Sequence, residues 1–246
     1  MARTLVARAL YRSTALPLEF PRTLSAKWLE LTGLRRFLQE HRVTVVLDVG
    51  ANEGQFAAKV RRLGFAGRIV SFEPDPRVYA LLVERHRHDP NWRSYPIALG
   101  DTDTEATLHL ATNSVLSSFL TSLRTSNVVD HVRVPLRRLD GMLAHILEGI
   151  PSPRILLKTD AQGFDLQVLR GASGCLSQLV GVLAELSVLP IYEQSPPLHE
   201  AIRLYQDAGF DLVDLSLVTR TIDGRLLELD GLFVRRPPRG VEHGAP

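Results

Sequence analysis

Two rhythms alternate along the chain. Short apolar runs at 43–47, 68–72, 93–99, 155–157 and 180–186 suit strands covered on both faces. Between them lie stretches with helical spacing, at 25–40, 55–63, 76–87, 139–147, 164–169 and 198–208. In the first of these, Trp28, Leu31, Leu34 and Leu38 would face a sheet. Strands alternating with helices predict an α/β fold, a Rossmann-like sheet wound with helices on both faces. Residues 104–110 alternate instead and read as an extra strand, with 132–136 as its partner. The chain closes helix–strand–turn–strand: Gly209 ends a helix, 210–217 is a strand, Gly224 turns, and 229–235 is the last strand.

One stretch organises the rest: VTVVLDVGANEGQF, residues 43–56. The strand ends in Asp48, and Gly50, Asn52 and Gly54 make the turn into a helix whose N-terminal amides face a ligand. A dinucleotide site wants G-x-G-x-x-G, and here Gln55 stands where the third glycine would fall. Asp48 would repel a pyrophosphate and attract an ammonium or sulfonium group. S-adenosylmethionine (SAM) carries both. The alternatives are a dinucleotide turn or a turn with no ligand. Phe56 opens the helix beside this turn. The second strand ends in Glu73-Pro74-Asp75, about 20 residues past the turn, where a carboxylate takes both hydroxyls of a ribose.

LDVGANEGQF, FEPDP and LLKTDAQGFDLQVLRGA together resemble the FkbM family of SAM-dependent methyltransferases, over about residues 43–236. The resemblance implies the class I methyltransferase fold, a seven-stranded, mostly parallel sheet with an antiparallel last strand. It implies O-methylation of sugar or polyketide hydroxyls, in bacterial secondary metabolites and cell-surface glycolipids. DGLF at 230–233 resembles the closing motif of the family, and Ser117 and Ser118 a small serine motif that contacts cofactor or substrate.

In such a sheet the carboxyl ends of the first and fourth strands flank the switch point, so the transferable methyl lies near Lys158-Thr159-Asp160. Asp160 and Glu185 come from adjacent strands and can converge, as a general base with Lys158 as counter-charge or as two ligands of magnesium. A structural ion pair or a helix cap is the plainer reading of Asp160, and Lys158 could instead anchor an acid on a neighbouring strand. Asp101, after the third strand, could accept from an adenine amine or be a turn aspartate. His109 and His131 flank the serine- and threonine-rich loop 111–127, which is expected to contact substrate.

Composition narrows the rest. The 246 residues carry a formal net charge of +2, which gives no electrostatic case for nucleic acid. The single cysteine, Cys175, allows no internal disulfide or cysteine-cluster zinc site and fits a reducing cytoplasm. Residues 1–40 read as an N-terminal helical segment, 41–236 as the catalytic domain, and 237–246 as a disordered tail. Leu5, Val6, Ala9 and Leu10 share a helical face with arginines interleaved, suited to covering the active site or to peripheral contact with a membrane carrying a lipid-linked sugar acceptor.

Overall fold

The computed structural model describes residues 22–124 and 128–237. The helical face of Leu5, Val6, Ala9 and Leu10, and the tail beyond residue 237, lie outside the described residues.

The chain enters through α1 (Arg22–Glu40) and runs into β1 (Val45–Val49), α2 (Gln55–Arg62), β2 (Arg68–Phe72), α3 (Pro76–His86) and β3 (Trp92–Tyr95). Two short-range strands follow a two-residue β4 (Ala98–Leu99): β5 (Thr104–Ala111) and β6 (Val128–Arg137). Then come α4 (Leu139–Ile146), β7 (Ile155–Thr159), α5 (Asp165–Gly171), β8 (Leu179–Ser187), α6 (Leu198–Asp207), β9 (Phe210–Arg220) and β10 (Leu226–Arg235).

The main sheet has the order β3-β2-β1-β7-β8-β10-β9. Every pairing from β3 to β8 is parallel, and β10 runs antiparallel to both its neighbours. This is the expected Rossmann-like sheet with its antiparallel last strand. The order reverses between β1 and β7, so a crevice opens where their carboxyl ends diverge. All five residues of β1 and of β7 are buried.

Side-chain alternation sorts the core into two layers. Val45, Leu47 and Val49 join the layer under α4, α5 and α6, with Tyr205, Phe210 and Phe233. Val46 and Leu156 join the other, under α1, α2 and α3, with Phe37, Leu82 and Trp92. Asp48 and Lys158 lie two residues on from Val46 and Leu156, so their charges fall on this second face.

Two expectations need correction. The strand expected at 93–99 is split by Pro96: β3 stays in the main sheet, while β4 pairs with β6 in a separate three-stranded sheet. Proline has no N–H to continue a ladder. On α1, Leu34, Phe37 and Leu38 are buried, but Trp28 is 59% exposed. The position one turn before Leu34 belongs to Glu30, which pairs with Lys59 of α2 at 2.8 Å. The expected partnership of 104–110 with 132–136 holds, with Leu108 opposite Val132. Among the described residues, no helix is long and apolar enough to cross a membrane.

Phe37 is the main apolar anchor of α1, buried against the sheet and 4.3 Å from the His41 ring. Phe37→Ala is expected to cost about 3–5 kcal/mol, read as a lower urea midpoint with an unchanged slope.

Candidate active site

The crevice holds a cavity of about 330 Å³, walled by the β1–α2 turn, Glu73-Pro74, the 114–119 segment, 158–162 and Asp230 of β10. The turn is built by close approach. Gly50 has φ 69°, and a Cβ there would lie 1.9 Å from the Asp160 carbonyl oxygen. Only glycine lets the exits of β1 and β7 run so close. Asn52 (φ 47°) lines the cavity, and its side-chain amide donates to Ser114 Oγ at 3.0 Å. Gly54 does not line it: a Cβ there would sit 2.8 Å from the Trp92 ring, so this glycine serves packing at the start of α2.

Glu73 is 6% exposed and lines the cavity. Its Oε2 accepts from Asn52 N at 2.7 Å and its Oε1 from Asp75 N at 2.8 Å. Burial pushes its pKa up to about 7, against the pull of those two amides. Pro74 continues the wall, and Leu99, Leu108, Val115 and Phe119 give it an apolar side.

Asp48 was expected to face the positive charge of a ligand. Its carboxylate is instead fully buried and does not line the cavity. Lys158 Nζ lies 3.1 Å from Oδ1, and Ser71 Oγ donates to Oδ2 at 3.4 Å. The reason is register: Asp48 and Lys158 are direct partners across β1 and β7. A charge inside a buried strand takes the nearest counter-charge. Lys158 also donates to the carbonyls of Val49 (3.3 Å) and Gly50 (3.2 Å), and its Nζ stands 5.6 Å from the Phe56 ring centre. Burial lowers the lysine pKa, but Asp48 and then Asp160 outweigh it, so the ammonium titrates above the usual lysine range.

Asp160 lines the cavity with its side chain 38% exposed, and Lys158 Nζ lies 3.5 Å from its Oδ2. Glu185 stands behind it, and Gln162 joins the two. The Gln162 amide nitrogen donates to Asp160 Oδ1 at 2.8 Å and to Glu185 Oε2 at 3.2 Å. Asp230 lies directly opposite Glu185 across β8 and β10. Burial first, then the negative charge of Asp160, drives Glu185 well above the usual carboxyl range. The same causes in the same order lift Glu228 to about 7, and Asp230 and Asp165 to about 6.

Magnesium does not fit these residues. An amide nitrogen, with its hydrogens forward, occupies the space between Asp160 and Glu185 where a cation would need acceptors. Among the described residues, no group of three or more His, Cys, Asp or Glu is arranged to hold a metal ion.

The remaining candidates divide. Ser117 lines the cavity, while its Oγ accepts from Ala111 N at 3.1 Å. Ser118 is buried, and its hydroxyl donates to the Gln162 carbonyl at 2.7 Å. Asp101 does not line the cavity, and its carbonyl accepts from Arg138 at 2.7 Å. His109 and His131 meet edge-to-face across β5 and β6, 4.9 Å apart, and neither lines the cavity. Lys59, Gln162 and Asp230 line it without having been singled out from sequence. Gln162 and Asp230 at least lay inside quoted motifs; Tyr192, which bonds Gln162, carried no signal.

Residues 48–212 match the family model of the methyltransferase FkbM domain. The 2-O-methyltransferase NoeI of Sinorhizobium fredii is 25% identical over 197 residues, 74% of this chain and 78% of that protein. Among solved structures, the fibrillarin pre-rRNA processing protein of Methanococcus jannaschii overlays with a TM-score of 0.48 at 15% identity, over 80% of this chain and 68% of that one. The Burkholderia thailandensis 1,6-didemethyltoxoflavin-N1-methyltransferase does so with a TM-score of 0.42 at 15% identity, over 95% of this chain and 90% of that one.

The raised carboxyls make stability depend on pH. Glu73, Asp165, Glu185, Glu228 and Asp230 hold protons in the folded chain at pH values where the unfolded chain has lost them. Their stabilisation is present at low pH and lost as pH rises through about 6–7. The melting temperature of the ligand-free protein is therefore expected to fall between pH 5 and pH 8, and Glu228→Gln to make that fall shallower.

Proposed function

The chain belongs to the FkbM methyltransferase family, and from that premise we propose that it moves the methyl group of SAM to a hydroxyl of a sugar or natural-product acceptor, with Asp160 as general base. The observation that carries this reading is the pair of carboxylates on one cavity, Glu73 and Asp160, each suited to a different task. A relative that bears the name 2-O-methyltransferase supports the choice of oxygen as acceptor atom.

The residues fit a nucleoside. Each Glu73 oxygen receives one backbone N–H and keeps a lone pair for another donor, which suits the two hydroxyls of a ribose. Pro74, Leu99, Leu108 and Phe119 offer an apolar wall to a flat base. Bound SAM supplies a methyl group already activated by its sulfonium. What remains for the chain is alignment and removal of a proton. A sugar hydroxyl is a weak acid, and the Asp160 carboxylate is the group that takes its proton as the new bond forms. Lys158 Nζ, 3.5 Å from Oδ2, is the nearby counter-charge. Gln55, Phe56 and Lys59 of α2 and Asp230 of β10 also wall the cavity.

Calorimetric titration with SAM and with NAD tests the cofactor, followed by transfer of labelled methyl to rhamnose- or fucose-containing glycolipids. SAM is expected to bind and NAD not. Glu73→Ala should weaken SAM binding about 100-fold, the loss of two hydrogen bonds at a buried carboxyl group. Asp160→Asn should lower turnover about 1000-fold and leave SAM affinity unchanged. Binding of NAD in place of SAM would sink the reading. Full turnover in Asp160→Asn would remove Asp160 as base, and transfer to an amine alone would replace the hydroxyl.

A further inference from the structure

Gln162 is held from every side. Its backbone is left-handed, with φ 51°, and Gly163 after it has φ 88°. A non-glycine residue rarely adopts that conformation without something to pin it. Here Ser118 of the serine-rich segment donates to its carbonyl at 2.7 Å. A Cβ on Gly163 would meet the Tyr192 ring at 2.7 Å, so this glycine lets the ring lie on the backbone. From there the Tyr192 hydroxyl donates to Gln162 Oε1 at 2.6 Å. The Tyr192 loop is tied in turn to the serine-rich segment, by Glu193 N to Thr121 O at 2.9 Å and Leu123 N to Ile191 O at 2.7 Å.

A glutamine amide has one carbonyl and two N–H donors. Once Tyr192 takes the carbonyl, the amide cannot flip, and both hydrogens point at carboxyl oxygens: Asp160 Oδ1 and Glu185 Oε2. We propose that Gln162, oriented by Tyr192, is a positioning residue that fixes the Asp160 carboxylate for its encounter with the acceptor hydroxyl. The proposal rests on the reading of Asp160 as the base. Gln162 acts through Asp160: its amide orients Oδ1, and Lys158 faces the other oxygen. The serine-rich segment and the Tyr192 loop thereby meet at the amide that sets the base's direction. A misalignment of a reacting group by a fraction of its contact distance is enough to depress turnover strongly.

Gln162→Met keeps the length of the side chain and removes its donors, and Tyr192→Phe keeps the ring and frees the amide to flip. Gln162→Met is expected to lower kcat about 100-fold, with SAM affinity and melting temperature unchanged, and Tyr192→Phe about 10-fold. A purely structural role would move melting temperature and SAM affinity together, and that result would overturn the proposal. Nitrogen-15 NMR of the side-chain amides supplies a readout that needs no acceptor. The Gln162 pair should exchange slowly with water and shift in Asp160→Asn, in Glu185→Gln and in Tyr192→Phe; signals like those of exposed glutamines, indifferent to all three, would also overturn it. Full turnover in Gln162→Met with Asp160→Asn inactive defeats this inference alone, whereas full turnover in Asp160→Asn defeats it together with the base assignment.

Discussion

The ion pair of Asp48 with Lys158 joins the two central strands at the level where the sheet order reverses. Taking both charges out of water is costly, and a partner removed would leave an uncompensated charge worth about 3–5 kcal/mol of destabilisation. The pair survives because it is not alone. Ser71 donates to Asp48, with the Trp92 indole donating to Ser71, and Lys158 spreads its hydrogens over the carbonyls of Val49 and Gly50. Those carbonyls belong to the exit of β1, and Asp160 follows Lys158 at the exit of β7. The pair thus locks together the two loops that bound the cavity. Gly50 is the consequence in the backbone: the loops are drawn so close that a single methyl group would not fit between them.

From that lock the charge pattern of the cavity follows. Lys158 answers to Asp48 first, so it neutralises the acids around Asp160 only in part. Glu185, Glu228, Asp230 and Asp165 crowd around Asp160, each pushed toward its protonated form by burial and by the Asp160 charge, and of these four only Asp230 lines the cavity. Of the two acids paired with Lys158, Asp48 is buried and Asp160 is 38% exposed and lines the cavity. Glu73 is a different kind of acid, its oxygens engaged by two backbone amides and its place set by the end of β2. One cavity therefore carries two carboxyl groups in different settings, Glu73 after β2 and Asp160 after β7.

Much of this was legible in the residues. Runs of β-branched and aliphatic residues that do not alternate mean strands buried on both faces, and β1 and β7 are such strands. The acid at the end of β2 and the Lys-Thr-Asp sequence at the end of β7 could be placed on one edge because a parallel sheet puts all its carboxyl ends together. The split of 93–99 by Pro96 was also within reach of local chemistry, since a proline in a buried strand forbids the next ladder bond. Local pattern misled at Trp28, where helical spacing allowed an indole to face the sheet but the neighbouring Glu30 pairs with Lys59 instead.

Lateral registry was the part that one-dimensional pattern does not hold. Asp48 was read as a ligand-facing charge because nothing in its own stretch names Lys158, 110 residues on, as the partner directly opposite. Gln162 had no reading of its own inside the Lys-Thr-Asp motif; it bonds both Asp160 and Glu185 while Tyr192, from a loop after β8, holds its carbonyl. Periodicity and chain-end chemistry are local quantities, so elements and strand-end acids can be read from them. Which charge meets which, and which amide is left free to donate, depends on how strands align sideways, and that alignment is set by packing of the whole sheet.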